Sequence, residues 1–118
     1  MKQPLQALLI APEIEMRDSI HFHEKEITIR EGHRAYFPGT ATLFCQILPW
    51  AVMVDITQVR HCLAKEVTKE EYKADGFKSH KDMCAQMKRF YPTLNMDSPV
   101  TIIRWANARG FFVEHPEI

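Results

Sequence analysis

Only three cysteines, Cys45, Cys62 and Cys84, occur among the 118 residues, and no C-x-x-C pair joins them, which excludes a disulfide framework and a zinc ribbon. Thiols so sparse suit a reducing cytosol, the expected location. Long apolar runs are missing as well: Leu8 to Ile10 is too short for a signal h-region, and nothing approaches the roughly twenty apolar residues of a membrane span. Neither export nor a membrane partner is expected. Charge of one sign is also absent, since 15 Lys plus Arg balance 15 Asp plus Glu. Modules that hold duplex DNA by bulk electrostatics are usually strongly basic, so duplex DNA is not an expected partner, although a local basic patch stays open. No internal repeat, low-complexity tract or linker composition divides the chain.

What the chain does contain, 46% apolar and 25% charged residues over 118 positions, is the profile of one domain. A chain of this size buries roughly two-thirds of its unfolded surface without staples. Residues 1–118 are read as a single domain, with 107–118 as a C-terminal tail. Leu5 to Ala11, closed by Pro12, predicts a short buried strand. Glu13 to His21 predicts a short helix, with Pro12 near its first position and acids in its first turn. Glu26-Ile27-Thr28-Ile29-Arg30 alternates strictly between polar and apolar residues and predicts a strand with Ile27 and Ile29 in the core. Glu31 to Pro38 reads as a polar loop ending in the Pro38-Gly39 turn. Thr40 to Leu48 and Ala51 to Val59, separated by Pro49-Trp50, read as an antiparallel hairpin with Cys45 and Met53 inside. Glu70 to Lys73 suits one helical turn. Met83, Met87 and Phe90 recur at helical spacing, so Ser79 to Tyr91 is the clearest helix, capped by Ser79 and stopped by Pro92. Val100 to Trp105 is a closing strand. This order predicts an α+β fold, a small β-barrel or curled sheet decorated by helices.

Strand alternation puts Glu26, Thr28 and Arg30 on one face, with Lys25 where the strand begins. An amine, a hydroxyl and a guanidinium together suit a polar planar ligand. Arg30 would donate a fork of hydrogen bonds to a carbonyl or phosphate, and Thr28 offers a donor or a nucleophile; the plain alternative is a solvated polar face. His33, Arg34 and Tyr36 follow, either as a cleft rim where a ring stacks on a base and cations meet phosphate, or as an ordinary polar loop. His21-x-His23 with Glu24 supplies too few ligands for a metal, so none is expected. Cys84 reads as a structural thiol. Lys78, His80, Lys81, Lys88 and Arg89 form either a basic face for an RNA backbone or solvated helix surface. Phe111-Phe112-Val113 suits docking on the domain or on a second copy, which leaves a homo-oligomer through the tail open.

The run from Phe22 through Lys25, Thr28 and Arg30 to Arg34 resembles the signature segment of the ASCH domain, a member of the PUA-like superfamily, usually written G-x-K-x-x-E-x-R. Lys25 and Arg30 match it directly, Thr28 stands for the Glu, and His23 stands for the Gly. The small bacterial acetylcytidine amidohydrolases of this superfamily are similar in carrying K-x-x-T-x-R there. Asp75-Gly76-Phe77 ahead of Ser79 to Pro92 resembles the family's acidic residue and following helix, and Val100 to Trp105 its closing strand. The resemblance covers roughly residues 5 to 106. It implies a PUA-like β-barrel of about five to six mostly antiparallel strands and two main helices, with a cleft beside the Lys25-Thr28-Arg30 strand. RNA or a modified nucleoside is the implied ligand, with Glu26, Arg30, His33 and Arg34 as binding residues and no cofactor. The alternative it implies is an amidohydrolase removing the acetyl group from acetylcytidine. Lys25 would then be the base, Thr28 the nucleophile and Asp75 the acid, with Glu70 or Glu71 as substitutes for Asp75. Such a base needs a Lys pKa brought down from about 10.4 toward neutral.

Overall fold

Ile27 and Ile29 alternate with polar residues, and the backbone follows that period into a strand. In the computed structural model, which describes residues 6–10, 19–20, 23–45 and 50–110, five strands form. They are β1 (Ala7–Leu9), β2 (Ile27–Glu31), β3 (Gly39–Cys45), β4 (Trp50–Leu63) and β5 (Pro99–Arg109). A 3₁₀ turn, Ala64–Glu66, and two helices, α1 (Lys69–Ala74) and α2 (His80–Met87), lie between β4 and β5. The hydrogen-bonded strand order is β1-β3-β4-β5-β2. β1 runs parallel to β3, whereas β3 with β4 and β2 with β5 are antiparallel. The α+β class is therefore present; α2 is the helix expected from Ser79, and α1 extends the single helical turn expected over Glu70 to Lys73. Of the helix expected over Glu13 to His21, Ser19 and Ile20 are helical, and residues 11–18 and 21–22 lie outside the described residues.

The chain packs as two compact units. One takes in Met1–Glu26, Pro38–Thr57 and Trp105–Ile118, the other Ile27–Phe37 and Gln58–Arg104. In the first, register sets Leu8 beside Leu43 and Leu43 beside Val52, and all three are buried with Ile10, Ile20, Ala41, Val54, Ile56 and Trp105. Val52, Val54 and Ile56 occupy one side of β4, so strand period turns Met53 the other way. Met53 is exposed and Cys45 half-buried, which corrects the expectation that both pack inside.

In the second unit, Ile27, Ile29, Val100 and Ile102 from β2 and β5 pack with Ala64, Val67, Tyr72, Met83, Cys84, Met87 and Leu94. Each such aliphatic side chain contributes about 1.5–3 kcal/mol by leaving water. Ser79 caps α2, its hydroxyl accepting from the Asp82 amide at 3.0 Å, while the Asp82 carboxylate accepts from the Lys78 amide at 2.8 Å. The helix stops at Met87, short of the expected Tyr91. Beyond it the amides of Arg89 and Phe90 reach back only three residues, to the Gln86 and Met87 carbonyls, and Pro92 disfavours helical backbone at Tyr91. Helical spacing thus no longer governs Phe90, which is exposed.

Candidate functional site

Strand period explains the burial of Ile27 and Ile29 but not that of Thr28 between them. All three are buried, with Thr28 at 8% exposure, so both faces of β2 are covered. A strand covered on both faces normally reads as a continuous apolar run; β2 instead carries a hydroxyl followed two positions later by a guanidinium. The Arg30 Nε donates to Thr28 Oγ1 at 3.2 Å, which joins two of the residues predicted from sequence on one face of one strand.

Lys25 belongs to the first unit and is buried. Its backbone is held by a helix ending: the His23 amide donates to Ile20 O at 3.1 Å, the Glu24 amide to Ser19 O at 2.7 Å, and the Lys25 amide to the same oxygen at 3.0 Å. The first two bonds are the pair that closes a helix through a left-handed residue, and His23 has φ of 63°. α1 ends in the same way, with Gly76 at φ of 97°, its amide on Lys73 O and the Phe77 amide on Tyr72 O. Position 23 therefore wants glycine for its backbone conformation, the residue the signature carries there. His23→Gly is expected to raise stability by up to about 1 kcal/mol, and His23→Val to lower it by about 1–2 kcal/mol. Thermal unfolding of the two variants checks this, and a lower midpoint for the glycine variant would contradict it. Glu26 follows, half-buried, its carbonyl accepting the Trp105 amide at 3.0 Å. Trp105 is itself buried, and its indole Nε1 has no hydrogen-bond partner among the described residues.

The loop after β2 is tied down from several sides within the second unit. Thr101, fully buried on β5, donates its hydroxyl to Gly32 O at 2.7 Å and accepts from the Arg34 amide at 2.8 Å. The Gly32 amide bonds Pro99 O and the Arg34 Nε bonds Glu31 O, each at 2.8 Å. On β4, the His61 Nε2 lies 2.8 Å from Arg34 O; a carbonyl only accepts, so that nitrogen carries the proton. His33 then stacks on His61 with ring centroids 3.8 Å apart and planes 13° from parallel, and the Arg34 guanidinium sits 5.9 Å over the Tyr91 ring. Beside the stacked imidazoles lies a hollow of about 250 Å³ lined by His33, His61, Cys62, Leu63, Glu66, Pro99 and Val100. Burial pushes the Cys62 thiol up despite the charge of Arg60, so it is no thiolate nucleophile at neutral pH.

The acids proposed for catalysis have separate engagements. Asp75 terminates α1, its amide donating to Glu71 O at 3.1 Å. Glu70 is exposed and takes Arg104 Nη2 on both oxygens at 2.9 Å. Glu71 is buried, accepts two bonds from Arg60 at 2.7 and 2.9 Å, and completes a capping box by accepting the Thr68 amide at 2.8 Å. Burial raises its pKa, but the Arg60 hydrogen bond, the Thr68 amide and the Arg60 charge together outweigh burial and hold it below the usual carboxylate range. Glu71 is thus kept ionised at neutral pH and is poorly suited to give up a proton there.

Among the described residues, no group of three or more His, Cys, Asp and Glu side chains could hold a metal ion; His21 lies outside them. No helix among them is long and apolar enough to cross a membrane. On α2 the Cys84 thiol is buried and pushed up by that burial, with the Lys88 charge opposing, consistent with a structural thiol. The His80 Nε2 bonds Val67 O at 2.6 Å and its ring meets Tyr72 edge-on, which draws one member of the expected basic face into packing. β5 continues through Arg109, so 107–109, read as tail, are strand; Phe111-Phe112-Val113 lies outside the described residues.

Solved structures resemble this arrangement despite distant sequences. A variant of the ASCH protein ZmASCH from Zymomonas mobilis superposes with a TM-score of 0.62 at 9% identity, over 87% of this chain and 68% of that one. The ASCH domain from Lactobacillus crispatus superposes with a TM-score of 0.58 at 12% identity, over 86% and 77%. The fold is that of the ASCH domain. A third match, the hypothetical protein PH0355, gives a TM-score of 0.57 at 16% identity over 87% of this chain and all of that one. No protein-family model matches the sequence, and no curated protein matches it significantly. Identities this low carry the ASCH fold and leave the chemistry to the residues. Sequence reasoning missed His61, Glu66, Thr101 and Trp105. The outward phase of β4 beyond Val59 was the available signal for His61; for Thr101 and Trp105, inside an apolar run, there was none.

Proposed function

We propose that this ASCH-fold chain binds a nucleoside, free and modified or as an unpaired residue of RNA, through Thr28 and Arg30 on β2. The observation that carries this reading is the buried Thr28 hydroxyl receiving the Arg30 Nε at 3.2 Å. A fold that needed only stability would fill this face with apolar side chains, and local breaks of that rule gather at functional sites. Arg30 supplies a planar fork of donors suited to a base carbonyl or a phosphate, and Thr28 orients that fork while offering its own hydroxyl proton. A net charge of zero suits recognition by such groups over bulk attraction to a polyanion.

Calorimetric titration with cytidine, acetylcytidine and a short single-stranded RNA tests the proposal. Arg30→Met is expected to weaken binding roughly tenfold or more, the loss of charge-assisted hydrogen bonds. Thr28→Val should weaken it less. Binding unchanged in Arg30→Met would overturn the reading. Release of cytidine from acetylcytidine, lost in both Lys25→Met and Thr28→Ala, would replace plain binding with amide hydrolysis.

A further inference from the structure

The His33–His61 stack lies outside the Thr28–Arg30 pair and is organised well beyond what a surface loop requires. Five polar contacts, involving Thr101, Pro99, Glu31 and His61, fix Gly32 to Arg34. Both imidazoles nonetheless remain exposed. Aromatic rings held rigidly in solvent form a stacking platform whose ordering cost is already met in the free protein. The hollow beside them, about 250 Å³, is smaller than the roughly 300–1,000 Å³ pockets that enclose drug-sized ligands, and suits a single base.

The lining fixes the kind of base. Pro99, Val100 and Leu63 give apolar walls, and Glu66 gives a carboxylate. One Glu66 oxygen accepts the Leu63 amide at 2.8 Å, and a carboxylate has room for about four such bonds. A carboxylate accepts from an exocyclic amino group and is repelled by a carbonyl, so it favours cytosine or adenine over uracil. Arg34 follows His33 in the chain, its guanidinium 5.9 Å over the Tyr91 ring, and offers a cation to a backbone phosphate.

We propose that the His33–His61 stack and its hollow bind one unpaired, amino-bearing base of single-stranded RNA, a second contact that rests on the nucleic-acid reading above. The base stacks on the outer face of the His33 ring, and Glu66 accepts its amino group.

Fluorescence anisotropy with labelled oligocytidylate, oligoadenylate and oligouridylate tests this on the full chain. Wild type is expected to prefer the first two. His33→Ala should weaken their binding roughly tenfold, as loss of one base stack does, whereas His33→Phe should retain it. Glu66→Gln should erase the preference over oligouridylate. Equal binding by His33→Ala and wild type, with Arg30→Met still impaired, would overturn this inference alone. Impairment in His33→Ala but not in Arg30→Met would uphold it and overturn the Thr28–Arg30 reading. No RNA binding by wild type would overturn the inference outright.

Discussion

Thr101→Val is expected to lower the stability of the chain by about 2–4 kcal/mol, although it changes the shape of a fully buried side chain very little. The Thr101 hydroxyl serves two backbone groups at once, donating to Gly32 O and accepting from the Arg34 amide. Valine leaves both without that partner, and each buried polar group so stranded costs about 1–3 kcal/mol. The loop can turn partly toward water, which keeps the sum below the upper limit. Thr101→Ser retains the hydroxyl and should lose far less. Urea denaturation of the two variants separates a polar role from a packing role. A valine variant as stable as wild type would show that the loop does not depend on this bridge. Release of Arg34 would also disturb the stack, since His61 bonds the Arg34 carbonyl.

Glu71→Gln is expected to cost about 2 kcal/mol at pH 7, with the difference from wild type narrowing in acid as the depressed folded carboxyl takes up its proton. Charge-assisted hydrogen bonds contribute about 1.5–3 kcal/mol, reduced here because the Arg60 side chain is 35% exposed and screened by solvent. The ordinary pKa of the group is near 4.5, and the folded value lies lower. A carboxylate depressed on folding stabilises the native state at pH values above its unfolded pKa, and that contribution is lost as pH falls through the folded pKa. Wild type and variant should therefore differ at pH 7 and converge in acid. Denaturation midpoints at pH 7, 5 and 3 check this; a gap that does not narrow at all from pH 7 to pH 3 would assign the cost of the variant to packing.

How far the sequence could be read depends on how local each cause was. Ile27 and Ile29 lie within one strand and declared β2 by alternation alone. Val52, Val54 and Ile56 did the same for β4, and the same phase, applied consistently, would have turned Met53 outward. Ser79 and Asp82 announced the start of α2 because a cap is settled within four residues. The burial of Thr28 was not legible, since alternation identifies a polar face but not what covers it. Nor was the His33–His61 stack, whose partners are 28 positions apart and meet through a loop fixed by Thr101, another 40 residues on. Asp75-Gly76 was read as an acid with a neighbouring glycine; the backbone uses the pair to end α1, with Gly76 at φ of 97°. The same motif recurs at His23, with φ of 63°, where the signature carries glycine.

The ligand reading is tested most directly by backbone amide and imidazole chemical shifts during titration with cytidine and then with a single-stranded oligocytidylate. The account predicts that cytidine moves the resonances of Thr28 and Arg30, and that the oligonucleotide moves those of His33 and His61 as well. Shifts confined to other surfaces, with the β2 resonances still, would contradict it.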